Sequence, residues 1–403
     1  MTIKETLNTK IVDECDVLVC GGGVAGVAAA LAARRGNKKV ILLEREYMLG
    51  GLATAGLIAI YLPLCDGYGK QVSFGISEEL LKLSVKLHKN ADLYVYKDWI
   101  LNKDTSVHTD KTPRYQVQFN PALFAIECEK QLLQEGVKII YGAYVVNATV
   151  EDKKITNVII EGKSGRQAIK ANVYIDATGD FDLGHYANCP SETFEQGNVL
   201  SAWYYSTSIQ KNYAIKILGP ADKPKNEKPT HEITYLSDRR FKGLETEEIS
   251  EFTQMAHEQV YQDVKKYKEN DETYEPALMF SIPQLRMTRR IKSKGTIDVT
   301  DEHIRRDDSI GMVSNWKKRG PVYEVPFSTL YNEEIVNLLS CGRCSGASEQ
   351  MWDVMRVIPC CALTGEACGV AASMNNDVTK ININALQAEL RKRGIVIHEE
   401  DLK

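Results

Sequence analysis

No segment of this sequence approaches the roughly 18 consecutive apolar residues that a membrane-spanning helix needs, so no membrane span is expected. The amino-terminal Met-Thr-Ile-Lys-Glu-Thr-Leu lacks the apolar run of a secretory signal, and a cytoplasmic location is expected. Cysteine is scarce, with 10 in 403 residues, which excludes a disulfide scaffold. Neither charge sign dominates: 50 Lys and Arg face 54 Asp and Glu, for a formal net charge of -4. That balance offers no broad basic surface, and no nucleic-acid partner is expected. With 43% hydrophobic residues the chain can bury a sizeable core, which excludes general disorder. At roughly 150 residues per domain, the length allows two to three domains.

Glycine, in contrast, is placed with purpose. Asp16-Val17-Leu18-Val19-Cys20 reads as a buried parallel strand, and Gly21-Gly22-Gly23-Val24-Ala25-Gly26 follows it. An alanine-rich helix over residues 27–35 closes at Gly36, and a second apolar strand over residues 39–43 ends at Glu44. This is a βαβ unit of about 30 residues, the context that makes a G-x-G-x-x-G pattern informative. Gly21 permits the tight turn, Gly23 lets backbone approach a pyrophosphate, and Gly26 allows close helix–strand packing. The phosphates then sit on free N–H groups at the helix start, beside Val24 and Ala25. Glu44 is placed to accept hydrogen bonds from both ribose hydroxyls, and it would repel a 2′-phosphate. A second glycine-rich turn, Gly50-Gly51-Leu52-Ala53-Thr54-Ala55-Gly56, comes next.

Further on, helices are expected over residues 77–89 and 122–135. Strands are expected over 137–141, 145–151, 155–161 and 173–176, the last running into Ala177-Thr178-Gly179-Asp180. Residues 183–321 are more polar, with a Pro/Lys-rich loop over 219–229 and a long charged helix over 246–269. After Pro326 the α/β character returns, with a strand entering Cys341-Gly342-Arg343 and a Gly/Ala-rich helix over 361–374. The expected division is 11–182 and 322–385 as two parts of one nucleotide-binding domain, 183–321 as an inserted domain, and 386–403 as a tail.

The later glycine-rich turns at strand ends favour FAD over NAD, because a single NAD unit needs no such downstream contacts. Taken together, the motifs resemble the FAD-dependent oxidoreductase family of the two-dinucleotide-binding-domain flavoprotein superfamily. The resemblance rests on the fingerprint with Glu44, Gly50-Gly51, Ile175 to Asp180, Arg286 with Arg289-Arg290, and Tyr323-Glu324-Val325-Pro326. Its most specific block runs from Gly342-Arg343-Cys344-Ser345 through Arg356-Val357-Ile358-Pro359 to Gly365-Glu366-Ala367-Cys368-Gly369. Family members usually carry Gln and Ala where this chain has Glu366 and Cys368, and often His where it has Glu349.

The resemblance implies an α/β fold: a Rossmann-like FAD-binding domain of parallel sheet plus β-meander, interrupted by an α+β substrate or cap domain. It also implies roles. Glu44, with Arg45 beside it, would hold the adenosine ribose, and Gly50, Gly51 and Thr54 would line the pyrophosphate. Val145 would present its backbone to the adenine, and Thr178, Gly179 and Asp180 would pass the phosphate side. Gly342 and Arg343 would pass the ribityl chain, and Arg356 and Val357 would approach the isoalloxazine. A helix starting near Cys361-Ala362 would aim its positive end at the N1–C2=O2 edge, where negative charge collects on reduction.

The C-x-x-C of Cys341 and Cys344 and the adjacent Cys360-Cys361 could form a redox dithiol or a cluster site. Buried structural thiols are the favoured reading, and no metal is expected. Acid/base candidates are His185, His231, His257, His303, Glu349 and Asp353. Arg286, Arg289 and Arg290 could bind an anionic substrate or form a structural ion-pair network.

The expected function is hydride transfer between flavin N5 and a small polar organic molecule, with Glu349, Arg356, His185 and Arg290 as catalytic candidates. One alternative is reduction of an activated C=C bond with Arg290 or Arg356 as proton donor; another is a non-redox flavoprotein. Without a second fingerprint, a quinone, oxygen or another protein is favoured over NAD(P)H as electron partner. Self-association stays open.

Overall fold

In the computed structural model, residues 2–87, 117–220 and 235–402 are described. The end of the helix expected over 77–89, most of the 219–229 loop, and the candidate His231 lie outside them.

The first half of the chain runs β1 (Lys10–Cys20), α1 (Val24–Arg35), β2 (Val40–Glu44), β3 (Ile60–Tyr61), α2 (Ile76–Ser84), β4 (Val117–Gln118) and α3 (Pro121–Gln134). It continues through β5 (Lys138–Tyr141), β6 (Tyr144–Glu151), β7 (Lys154–Gly162) and β8 (Gly165–Asp176). Then come α4 (Asp182–Tyr186), β9 (Ser191–Thr193), β10 (Ala202–Thr207), β11 (Ala214–Leu218), α5 (Thr246–Lys268), β12 (Glu275–Met279) and β13 (Arg289–Ile291). The last part holds β14 (Ser309–Ser314), β15 (Val322–Pro326), β16 (Leu338–Ser340), α6 (Glu349–Met355), α7 (Ile358–Met374) and α8 (Ile383–Lys392).

The main sheet is parallel through β5, β2, β1, β8 and β16. Its inner strands are apolar on both faces, as sheets covered by helices require; every residue of β2 is buried. Strand β8 is much longer than the short run expected at 173–176. Its first half pairs antiparallel with β7, and β7 pairs with β6, forming the meander. Its last three residues pair parallel with β16. The carboxyl ends of β1, β8 and β16 therefore finish side by side, where open α/β sheets bind ligands.

Helices α1 and α7 pack together through small residues. A Cβ on Gly365 would fall 2.2 Å from the Ala25 carbonyl oxygen, and one on Gly369 would fall 2.3 Å from that of Ala29. Further along, the Ser373 hydroxyl lies 3.4 Å from the Ala33 carbonyl oxygen. The register advances in the same direction on both helices, so they run parallel and their amino ends meet at one place. Helix α7 starts at Ile358, not near Cys361, because Pro359 sits in its first turn, where proline needs no N–H partner.

Glu366, the departure from the usual Gln, lies in the middle of α7 and is 2% exposed. It accepts the Ile76 N–H at 2.6 Å, which holds the start of α2. Burial pushes its pKa up to about 7, against the pull of that hydrogen bond and of Arg393 and Arg35. A carboxyl raised above its unfolded value weakens the fold as pH climbs through the window from about 4.5 to about 7, and the loss persists above it. Glu366→Gln keeps an acceptor and removes the charge. It is expected to leave stability nearly unchanged at about pH 5 and to add roughly 2 kcal/mol at about pH 8. Thermal unfolding at both pH values checks this; an equal effect at the two would refute it.

Between β8 and β16 the chain builds separate small sheets: β11-β10-β12, β9-β13 and β14-β15. Helix α5 backs the first of these, burying Phe252, Ala256, Val260 and Val264, a strict four-residue spacing along one face. The β14–β15 hairpin spans residues 309–326 and so straddles the boundary expected at 321. In the segment expected as a tail, residues 386–402 pack against the rest: α8 buries Leu386 and Leu390, and Ile395 and Ile397 join the main core. Their apolar spacing, short as it is, supplies a packing face. Among the described residues, no single helix is long and apolar enough to cross a membrane.

Candidate cofactor and substrate site

One cavity of about 460 Å³ opens at the carboxyl ends of the parallel strands. It brings together three stretches far apart in sequence. Gly21, Gly23, Val24, Ala25, Glu44, Arg45, Gly50 and Gly51 come from the first; Val145, Thr178 and Gly179 from the second; Gly342, Arg343, Arg356 and Val357 from the third.

The phosphate turn has the geometry its glycines suggest. Gly21 has φ +105°, and a Cβ there would lie 2.3 Å from the Ala177 carbonyl oxygen. A Cβ on Gly26 would lie 1.8 Å from the Gly21 carbonyl oxygen, so this glycine serves helix–strand packing and does not line the cavity. Gly23 differs: its backbone is ordinary, with φ -63°, and a Cβ would meet nothing within 4 Å. No side chain caps α1 at that point, so its first N–H groups face the cavity ready for an anion. No side chain caps α7 either, and its first residues Val357, Ile358 and Cys361 line the same cavity. Two helix dipoles thus direct positive ends into one space.

Glu44 is buried, and its two oxygens accept N–H groups from Gly22 at 2.7 Å and Glu46 at 2.8 Å. Burial pushes its pKa up while those two bonds oppose the shift. Each oxygen keeps a lone pair for a ribose hydroxyl. Asp176, at the end of β8, organises the next turn by accepting from Thr178 N–H, the Thr178 hydroxyl and Gly184 N–H. Asp182 also lines the cavity. Burial first, and then the Asp180 and Asp176 charges, raise its pKa to about 7.

Several expected contacts lie elsewhere. Thr54 turns inward, donating to the Leu49 carbonyl oxygen at 2.5 Å, and is outside the lining. Asp180 is also outside it: its carboxylate receives Arg343 at 2.6 Å and Thr288 at 2.6 Å. It ties Arg343, which also donates to the Leu285 carbonyl oxygen at 2.7 Å, to the 285–288 segment.

Three of the four catalytic candidates are away from the cavity. His185 is exposed on α4. Glu349 accepts from Gln196 at 2.8 Å. Arg290 pairs with Glu192 at 2.9 Å, against Trp352 at 4.3 Å from its ring centre. Its register opposite Glu192 in the β9–β13 ladder turns it that way. Arg356 does line the cavity, bonded to Asp353, which is further held by Lys317 at 2.5 Å. Asp353 is thereby committed to ion pairs. His257 packs on Phe280 and His303 bonds Glu399; neither lines the cavity.

The walls also hold residues the motifs did not single out: Ile58, Ile60 and Leu62 beyond the second glycine turn, and Trp203, Ile282 and Trp316 from the 183–321 segment. Arg286 joins them, so of the three arginines considered for an anion, it is the one at the cavity. No spacing rule marks the aromatic and aliphatic positions; the rarity of tryptophan, 4 in the chain, was the available signal. None of the ten cysteines, all among the described residues, is in a disulfide, and Cys344 is buried under a contact to the Cys341 carbonyl oxygen at 3.2 Å. Among the described residues no cluster of side chains is arranged to hold a metal.

The family described as FAD dependent oxidoreductase matches residues 16–202 and 201–390, and the chain belongs to that family. FAD is the cofactor of that family. Thioredoxin reductase of Ureaplasma parvum serovar 3 is 31% identical over 182 residues, 45% of this chain and 57% of that protein. The chain therefore spans little more than half the length of that relative. Among solved structures, a geranylgeranyl bacteriochlorophyll reductase-like protein of Thermoplasma acidophilum aligns with a TM-score of 0.47 and 12% identity, over 94% of this chain and 84% of its own. A 3-ketosteroid-Δ4-(5α)-dehydrogenase of Rhodococcus jostii RHA1 aligns with a TM-score of 0.42 and 12% identity, over 91% and 98%.

The residues present fit FAD. The open position at Gly23, the uncapped start of α1 and the buried Glu44 form a cradle for a dinucleotide.

Proposed function

We propose that this enzyme moves a hydride between FAD and a small polar organic substrate held against residues of the 183–321 segment. When bound, FAD supplies the two-electron chemistry at N5. The single observation that carries the reading is one cavity walled jointly by the phosphate turn and by Trp203, Ile282, Arg286 and Trp316.

The chain's own residues then divide the work. Gly23, Gly51 and the α1 amino end hold the phosphates, and Glu44 holds the ribose. The α7 amino end and Arg356 set positive potential beside the ring position, favouring negative charge there. Trp203, Trp316 and Ile282 exclude water from the reacting carbon. The described histidine, Glu349 and Asp353 candidates stand outside the lining, so these walls stabilise charge more than they remove protons. We assign the cavity wall contributed by residues 183–321 to substrate binding, and the electron partner to the quinones, oxygen or another protein, because a second dinucleotide fingerprint is lacking in the sequence.

Purified protein is expected to be yellow. Its flavin absorbance should bleach anaerobically with a member of a pool of hydroxy acids, amino acids or carbohydrates, and recover on adding a quinone or oxygen. Bound FAD that no pool reduces and no quinone or oxygen reoxidises would overturn the reading.

A further inference from the structure

We propose that Asp353 is a positioning residue for the flavin: its carboxylate holds Arg356 at the cavity wall and offsets that cation, and so sets how readily bound FAD is reduced. The proposal rests on the reading above that puts Arg356 beside the ring, and it adds a residue outside the lining that acts through Arg356.

Asp353 belongs to α6, is 3% exposed and stands outside the cavity lining. Its Oδ1 accepts from the Arg356 guanidinium three residues along, and its Oδ2 lies 2.5 Å from Lys317 Nζ. Among the described residues it is the carboxylate within ion-pair reach of Arg356. The main chain takes part as well, since the Asp353 carbonyl oxygen accepts the Trp316 indole N–H at 3.1 Å. Asn315 Oδ1 accepts the N–H groups of Lys317 and Lys318 at 2.9 and 3.1 Å, which fixes the turn that carries Trp316. One buried residue thus ties Arg356, just ahead of α7, to Trp316 from the 183–321 segment, and both of those line the cavity.

The tie has an electrostatic consequence. Arg356 directly precedes Val357, the residue at which α7 opens, so the guanidinium adds to the positive end of that helix. Positive potential there favours the electron-rich, reduced cofactor, and the Asp353 charge opposes it. In a low-dielectric wall a full charge changes such an equilibrium by about tenfold or more. A side chain wanted for shape alone would be replaced by asparagine without effect; one that works by its charge would not.

Titration of the FAD-loaded protein against a dye of known potential reads the difference. Asp353→Asn is expected to raise the ratio of reduced to oxidised flavin at least about tenfold at a given ambient potential, which is about 30 mV for two electrons. Asp353→Glu keeps the charge and should stay within about threefold of the parent. Arg356→Gln should lower the ratio by about tenfold or more, and the double variant should return to within about threefold of the parent, because opposite charges leave together. Asp353→Asn alone strands a buried cation and can fail to fold. The comparison then runs from Arg356→Gln to the double variant, a step that should raise the ratio by about tenfold. An asparagine at 353 that leaves the potential unmoved or lowers it, while Arg356→Gln lowers it, overturns this proposal alone. A double variant that folds yet no longer holds FAD overturns it too, by showing that the pair retains the cofactor and does not tune it. If Arg356→Gln leaves the potential unmoved, the placement of Arg356 beside the ring fails and takes this proposal with it. Bleaching by a donor is read separately, so the hydride-transfer reading stands or falls on its own.

Discussion

Gly23→Val is expected to cost FAD affinity at least about 100-fold, equivalent to about 3 kcal/mol, while the apoprotein folds and melts nearly as before. The two effects separate because of where this glycine sits. Its φ of -63° is open to any residue, and its missing Cβ faces empty space, with no atom within 4 Å. No protein atom outside its chain neighbours crowds the first side-chain carbon there. The cofactor does, since that space is where a pyrophosphate must approach the backbone to reach the first N–H groups of α1. The neighbouring Gly21 makes the contrast: with φ +105° and a Cβ position 2.3 Å from a carbonyl oxygen, a side chain there strains the fold itself. Fluorescence titration with FAD, set beside thermal unfolding of the apoprotein, reads both quantities. Near-normal FAD binding by this variant would show that the phosphates lie elsewhere.

Gly365→Ala is expected to destabilise the apoprotein by about 1–3 kcal/mol and, separately, to weaken FAD binding. A methyl group at this position would lie 2.2 Å from the Ala25 carbonyl oxygen. Helices α1 and α7 would have to move apart. Both are buried along nearly their whole length, so a shift disturbs the core on both sides, as overpacking does in well-filled interiors. The same contact sets the distance between the two helix amino ends. Spreading them moves Val24 and Ala25 away from Val357 and Ile358 across the cavity. Denaturant unfolding of the apoprotein measures the first effect and FAD titration the second. An unchanged unfolding midpoint would mean that the two helices can separate freely, against the geometry described here.

How much of this was legible in advance depended on distance along the chain. The Gly21–Gly26 turn and Glu44 were readable because strand, turn, helix and strand are contiguous, and parallel pairing of β1 with β2 leaves Glu44 next to the turn. The start of α7 lies three residues before the expected one, at Ile358, with Pro359 in the first turn where proline is tolerated. Thr54 and Asp180 have the chemistry of phosphate-side residues, but each satisfies its polar atoms against the protein: Thr54 on the Leu49 carbonyl, Asp180 on Arg343 and Thr288. Composition is silent on which way a hydroxyl or carboxylate turns.

The sequence by itself determined the class of cofactor and the parallel sheet that carries it, since both follow from glycine, apolar and acidic positions repeated within short windows. Only the tertiary structure decided which arginine lines the cavity. Arg286 and Arg290 stand four residues apart with identical side chains. One is turned to the cavity by Asn198 and Gln284, and the other is turned to Glu192 by a strand pairing formed across about a hundred residues of chain. Such a choice is made by long-range contacts, each of which depends on the rest of the fold being in place.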